Sequence, residues 1–95
     1  MRDPAPQIRP VDFSDPTDMR CYLDLLDAYS RDSMGAGQPL DDAVRSRLAR
    51  DLPIHPTVLG LLAELRGQAI GFATCFTGYS TFRAQPLLNI HDIAV

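Results

Sequence analysis

From Thr57 to the end of the chain the apolar residues recur at every second position, whereas before Pro53 they recur at steps of three and four. That change of period places helices first and strands after. Leu59, Leu61, Ala63 and Leu65 alternate with Val58, Gly60, Leu62 and Glu64, and Arg66-Gly67-Gln68 reverses the chain. Ala69 to about Tyr79 then returns with Ile70, Phe72, Thr74 and Phe76 on a common face, so the segment is a hairpin. Gly71, inside the return strand, marks a close approach of another backbone. Gly78 to Pro86 crosses into a last strand, and its Tyr79 and Phe82 either cap the core or wall a pocket, capping being the simpler reading.

In the last strand, alternation puts Asn89, His91, Ile93 and Val95 on one face and Leu88, Ile90, Asp92 and Ala94 on the other. A regular strand therefore points His91 and Asp92 in opposite directions, and a bulge would reverse the facing of the residues beyond it. With apolar residues on both faces it reads as a central strand, with neighbours on both edges.

Upstream, Gln7 to Asp12 suits a short first strand near an edge, because Pro10 has no N–H for a ladder. Asp15-Pro16-Thr17-Asp18 is a helix start: a capping side chain, proline at the first helical position, and acids near the positive end of the dipole. The first helix runs to about Arg31, with Met19, Tyr22, Leu23, Leu26 and Tyr29 as its apolar face and two i,i+4 pairs, Arg20 with Asp24 and Asp27 with Arg31, on its wet side. Ser33 to Pro39 breaks the pattern with glycines and a proline, and this loop is placed to line a site. Asp41 caps a second helix, with Leu40, Val44, Leu48 and Leu52 as a narrow stripe, Arg45, Arg47 and Arg50 outside as solvated surface, and Pro53 ending it. The order β-α-α-β-β-β predicts an α/β (α+β) fold: a mostly antiparallel sheet with two helices, in one domain over residues 1–95 with residues 1–6 flexible.

Composition narrows the partners. A net charge of −3 with scattered arginines argues against nucleic acid and anionic membranes, which need a clustered basic surface, and suits a cationic substrate. Cys21 and Cys75 lack metal-ligand spacing and read as buried thiols in a reducing compartment. The start of the chain lacks the apolar stretch of a signal peptide, and no later stretch is long enough to cross a bilayer, so a cytoplasmic location is expected.

His91 is the one group that titrates near neutrality on an element expected to be rigid, whereas His55, between Ile54 and Pro56, reads as a structural loop residue. No serine or cysteine lies in a nucleophile elbow. No metal site is expected, because His91 and Asp92 point apart in a regular strand and no second histidine is placed to join them. No glycine loop of the phosphate-cradling kind occurs in the chain.

Ile8-Arg9-Pro10, Gln68-Ala69-Ile70-Gly71-Phe72-Ala73 and Ile90-His91-Asp92-Ile93-Ala94-Val95, in this order and spacing, resemble the amino-terminal half of a GNAT-superfamily acyl-CoA N-acetyltransferase, over almost the whole chain. Tyr79-Ser80-Thr81-Phe82 is similar to the segment before the fourth strand in the branch that acetylates diamines and other small amines. The resemblance implies acetyl-CoA as cosubstrate, with backbone groups at Ile93 and Val95 against its pantetheine arm or thioester carbonyl. It implies a primary amine on a small molecule as acceptor, with Tyr29, Met34, Tyr79 and Phe82 in regions that wall the acceptor pocket. His91 stands where that branch often carries a glutamate proposed to handle the amine proton; imidazole can do the same task, directly or through water. The family's Arg/Gln-x-x-Gly-x-Gly/Ala pyrophosphate loop is absent, which leads to the expectation of a truncated amino-terminal portion inactive alone. An alternative of another class is a non-catalytic module that forms a homodimer or strand-swapped assembly through an open sheet edge at Ile93-Ala94-Val95.

Overall fold

The computed structural model describes residues 5–95, so the expected flexibility of the chain's start lies, for residues 1–4, outside the described residues. Four strands and two helices run in the expected order: β1 (Gln7–Pro10), α1 (Pro16–Arg31), α2 (Asp42–Asp51), β2 (Val58–Leu65), β3 (Gln68–Ser80) and β4 (Gln85–Ala94), with a 3-10 turn at Leu52–Ile54. The strands form one antiparallel sheet in the order β1-β2-β3-β4. Among the described residues β4 has β3 as its one neighbour, and the second neighbour that its double-sided apolar pattern predicts is not among them. β1 is also shorter than the Gln7–Asp12 span, because the chain beyond Pro10 turns up into α1.

α1 begins where its sequence says. Asp15 is extended (φ −88°, ψ 121°), its carboxylate accepts the Asp18 N–H at 3.4 Å, and Pro16 opens the helix without losing a hydrogen bond. Its apolar stripe lies across the sheet: Met19, Tyr22 and Leu23 are buried with Leu62 and Phe72 of the strands, and Leu48 and Leu52 reach the same cluster from α2 and the 3-10 turn. The Tyr22 ring stands edge-on to Phe13 at 5.1 Å and to Phe72 at 5.7 Å, and Tyr29 stands edge-on to Phe72 at 5.9 Å. Full burial of Leu62 alone is worth about 2 kcal/mol. Gly60 is required beside it, since an added Cβ would lie 2.5 Å from Cζ of Phe13.

α2 carries no buried residue, and Asp41 makes no side-chain capping bond, so this helix is held mainly by its exit through Leu52. Of the two expected pairs on α1, Asp27 with Arg31 forms at 2.9 Å, but Asp24 pairs with Arg45 of α2 in place of Arg20. That exchange ties the two helices together.

The β2–β3 reversal is a two-residue turn, Arg66 (φ 54°) and Gly67 (φ 78°), both left-handed, as the primed hairpin turns demand. The register then slips between Ala63 and Glu64, leaving Ile70 as an extra residue, so Ala69 rather than Ile70 packs against the core below Phe72 and Thr74. Tyr79 and Phe82 are exposed at the β3–β4 turn and do not cap the core. Cys75 is buried, Cys21 half-buried, and both are free thiols.

Candidate functional site

The β3–β4 pairing runs Thr74 to Asp92 and then Cys75 to Ile90, which leaves His91 as an unpaired extra residue in β4. This bulge corrects the expected facing. Paired residues share a face, so Asp92 lies with Thr74 and Ala94 with Phe72 on the helix-bearing side, and His91 packs edge-on to Phe76 with ring centroids 5.9 Å apart. Asp92 makes no ion pair or hydrogen bond among the described residues, and its charge lies close enough to Tyr22 to help push that phenol's pKa up, after burial, which is the larger cause. The Tyr22 hydroxyl shares a 2.5 Å hydrogen bond with Thr74 Oγ1, and both residues are buried.

Farther along the same side, an open cleft of about 420 Å³ lies between the carboxyl end of α1, the loop after it, and the end of β4. Tyr29 and Phe72 form its floor, and Met34, Ile93 and Val95 its rim. Two glycines set its shape. At Gly71 an added Cβ would come 2.9 Å from the Ala94 carbonyl oxygen, which is the close backbone approach expected there and brings the end of β4 against β3. At Gly35 it would come 2.3 Å from the Tyr29 carbonyl oxygen, so only glycine lets the loop fold onto the helix end. Asp32 organises that loop: its carboxylate accepts the Met34 N–H at 2.9 Å, and its carbonyl accepts the N–H groups of Gly35 and Gly37. It is also the only charged residue among the described ones that line the cleft.

Four of the seven site residues expected from the sequence, Tyr29, Met34, Ile93 and Val95, therefore converge on one cleft. His91 lies outside its lining, on the bulge beyond Asp92, and Tyr79 and Phe82 lie apart near the opposite end of β4. His55 keeps its structural role, with Nδ1 accepting the Thr57 N–H at 3.2 Å, but its ring also stands edge-on to Phe76 at 5.3 Å, so both histidines of the chain flank one phenylalanine. Sequence reasoning left Arg9 without a role. Its guanidinium donates to both Asp18 oxygens at 2.7 Å and to Glu64, joining β1, α1 and β2, and holds the Asp18 carboxyl down at about 2. The signal available was an arginine pointing to the helix side of an edge strand, close before an acidic helix start.

Among the described residues there is no cluster of three or more metal-ligating side chains, and no helix is long and apolar enough to cross a membrane. No family model and no curated protein matches the chain. Solved structures do. A possible acetyltransferase from Clostridium difficile 630 superposes with a TM-score of 0.76 at 14% identity, covering 97% of this chain and 58% of the other. A ribosomal-protein-alanine N-acetyltransferase from Brucella melitensis biovar Abortus 2308 gives 0.69 at 18%, covering 97% and 57%. The aminoglycoside acetyltransferase meta-AAC0020 from an uncultured soil metagenomic sample, in complex with sisomicin, gives 0.68 at 19%, covering 95% and 55%. The chain thus spans a little over half the length of these proteins, and over that span its four antiparallel strands and two helices have the α+β fold of GNAT acetyltransferases.

Proposed function

We propose that this chain is the acceptor-side part of an N-acetyltransferase that moves an acetyl group from acetyl-CoA to the primary amine of a small molecule, in the cytoplasm. The observation that carries this reading is the superposition of almost the entire chain on acetyltransferases. The cleft supports it, since four residues expected at the cofactor and acceptor sites line it.

The residues at the end of β4 suit a pantetheine-like arm. β4 has β3 as its one neighbour among the described residues, so the outward N–H and C=O groups near Ile93 and Val95 have no strand beside them there. When bound there, acetyl-CoA supplies a thioester carbonyl; backbone N–H groups of this edge would polarise it. His91 takes a proton from the acceptor's ammonium, directly or through water, which leaves the neutral amine that N-acetylation consumes. It is exposed, and no hydrogen bond among the described residues ties up its ring nitrogens. Asp32 at the cleft and the chain's net charge of −3 favour a cationic acceptor. Tyr29 and Met34 hold the acceptor's apolar part, while Tyr79 and Phe82 are assigned to a more distant wall. The choice of a small amine rests on Tyr79-Ser80-Thr81-Phe82; among the neighbours, one is named for a ribosomal protein's alanine and another is bound to sisomicin.

The chain contains no glycine loop for the CoA pyrophosphate. At a mass of 10.5 kDa it is therefore expected to give no heat on titration with acetyl-CoA and no turnover. A polypeptide that carries this sequence together with such a loop is expected to do both. The test is intact mass, calorimetric titration of acetyl-CoA, and amine-dependent thiol release followed across pH for wild type and His91→Ala. Lower turnover with a flattened alkaline rise in the variant is the expected result. Superposable pH profiles remove His91 from the mechanism, and absence of both binding and thiol release in the loop-bearing polypeptide refutes the transferase reading.

A further inference from the structure

The loop between α1 and α2 carries Asp32 and Met34 into the lining of the cleft. With Gly35, Gly37 and Pro39 in it, its composition is that of a moving lid. Its bonding is that of a wall. At its exit the chain returns beside the end of α1 and is held there at two points. Ser30 and Gln38 bond reciprocally: the Gln38 N–H donates to the Ser30 carbonyl at 3.0 Å, and the Ser30 hydroxyl donates to the Gln38 carbonyl at 2.6 Å. Farther on, the Leu40 N–H donates to Oδ1 of Asp27 at 2.9 Å. The other Asp27 oxygen accepts from Nε of Arg31, also at 2.9 Å, so α1 itself orients the carboxylate for the returning chain. The Asp27 carboxyl is held below the usual carboxylate range, chiefly by the Leu40 N–H and less by Arg31.

We propose that Asp27 and Ser30 are positioning residues that latch this loop shut, making it a fixed wall of the cleft, so that adjustment to a ligand on this side falls to the Met34 side chain. A single tether would let the loop swing about it; bonds at both Gln38 and Leu40 remove that hinge. Inside the latch the backbone is committed as well. The Asp32 carbonyl accepts the Gly35 and Gly37 N–H groups, the Asp32 carboxylate accepts the Met34 N–H, and Gly35 lies against the Tyr29 carbonyl. The Met34 side chain, by contrast, is 84% exposed, and methionine is unbranched and adaptable. The loop is therefore ordered before a ligand arrives, and binding does not have to order it. The latch bonds join residues no more than 13 positions apart, so the device belongs to this stretch of chain and needs no cover from elsewhere.

Amide exchange followed by NMR, together with the Met34 methyl resonance, tests the proposal. In the wild type the Gln38 and Leu40 amides should exchange at least about tenfold more slowly than in an unfolded peptide. Asp27→Ala should speed exchange at Leu40 about fivefold or more and move the Met34 methyl, with the Tyr22 and Leu23 amides unchanged. Asp27→Asn keeps an oxygen for the Leu40 N–H while losing the ion pair with Arg31, and should restore most of the protection. Ser30→Ala should speed exchange at Gln38 without loss of helix content. Unprotected Gln38 and Leu40 amides in the wild type overturn the proposal, because the loop then opens by itself. Exchange in Asp27→Asn as fast as in Asp27→Ala overturns it by assigning the effect to the ion pair. A Met34 methyl that stays in place in both Asp27→Ala and Ser30→Ala overturns it too, since the wall would not depend on either residue. None of these readouts involves acetyl transfer, so a failure of thiol release refutes the transferase reading and leaves the latch standing.

Discussion

The Arg9, Asp18 and Glu64 cluster makes a measurable claim about acid stability. Asp18 is buried at the start of α1, accepts both Arg9 bonds and the Asp12 N–H at 2.8 Å, and its carboxyl is held at about 2 against an ordinary 3.8, chiefly by the Arg9 hydrogen bonds and against the cost of burial. A carboxyl depressed by folding adds stability that is complete above its unfolded value and is lost as the pH falls from about 3.8 through about 2. At about 1.36 kcal/mol per decade the displacement corresponds to about 2 kcal/mol. The Arg9 side chain is 41% exposed, so screening by water reduces the expected contribution to about 1 kcal/mol.

Asp18→Asn removes the charge but keeps an oxygen for the Asp12 N–H. Urea unfolding followed by circular dichroism should find the variant less stable by about 1 kcal/mol at pH 6, a midpoint shift of about 1 M for a domain this small, with the difference closing as the pH approaches 2. Carboxylates that do not touch Arg9 contribute equally to the two proteins and drop out of the comparison. A difference that stays constant from pH 6 to pH 2, or that widens as the pH falls, would refute the assignment of the Asp18 charge as a folded-state contact.

Two further substitutions probe the helix-bearing side of the sheet. Tyr22→Phe strands the buried Thr74 hydroxyl and should cost about 1–2 kcal/mol in the same unfolding assay, while Tyr22→Phe/Thr74→Val, which removes both polar groups, should recover part of that loss; a double variant whose loss equals or exceeds the sum of the two singles would refute the favourable coupling. Gly35→Ala pushes the loop off the Tyr29 carbonyl and should raise amide exchange from Asp32 to Gly37 and move the Met34 resonances, with helix content unchanged; native exchange rates in that loop would contradict the close approach.

Local signals carried most of the fold. The bounds of α1 come from a cap, a proline and a stripe, all within the helix itself, and the β2–β3 turn comes from Arg66-Gly67 between two alternating runs. The features that were not legible depend on partners distant in the chain. Whether Asp24 meets Arg20 on its own helix or Arg45 on the next is decided by how α2 returns, and Arg9 finds Asp18 and Glu64 only once the sheet is assembled. The site divided in the same way. Tyr29, Met34, Ile93 and Val95 converge because the helix end and the strand end meet over Gly71 and Gly35, while Tyr79 and Phe82 stay with the far turn.

The extra residue at His91 links the two faces of the molecule. Had β4 continued in the register that pairs Cys75 with Ile90, Thr74 would face His91 and Ala73 would face Asp92, which would set a carboxylate in the middle of the helix-free face. A sheet face with a buried acid at its centre resists every apolar partner, because desolvating an unpaired carboxylate costs several kcal/mol. One inserted residue sends Asp92 to the helix side, beside Thr74, and puts Ile93 in the vacated position. The side that gains the acid is the side with the open cleft; the side that loses it carries no charged side chain among the described strand residues. A single bulge therefore sends the strand's one acid to the side of the helices and the cleft and leaves the other side of the sheet without a charged side chain among the described strand residues.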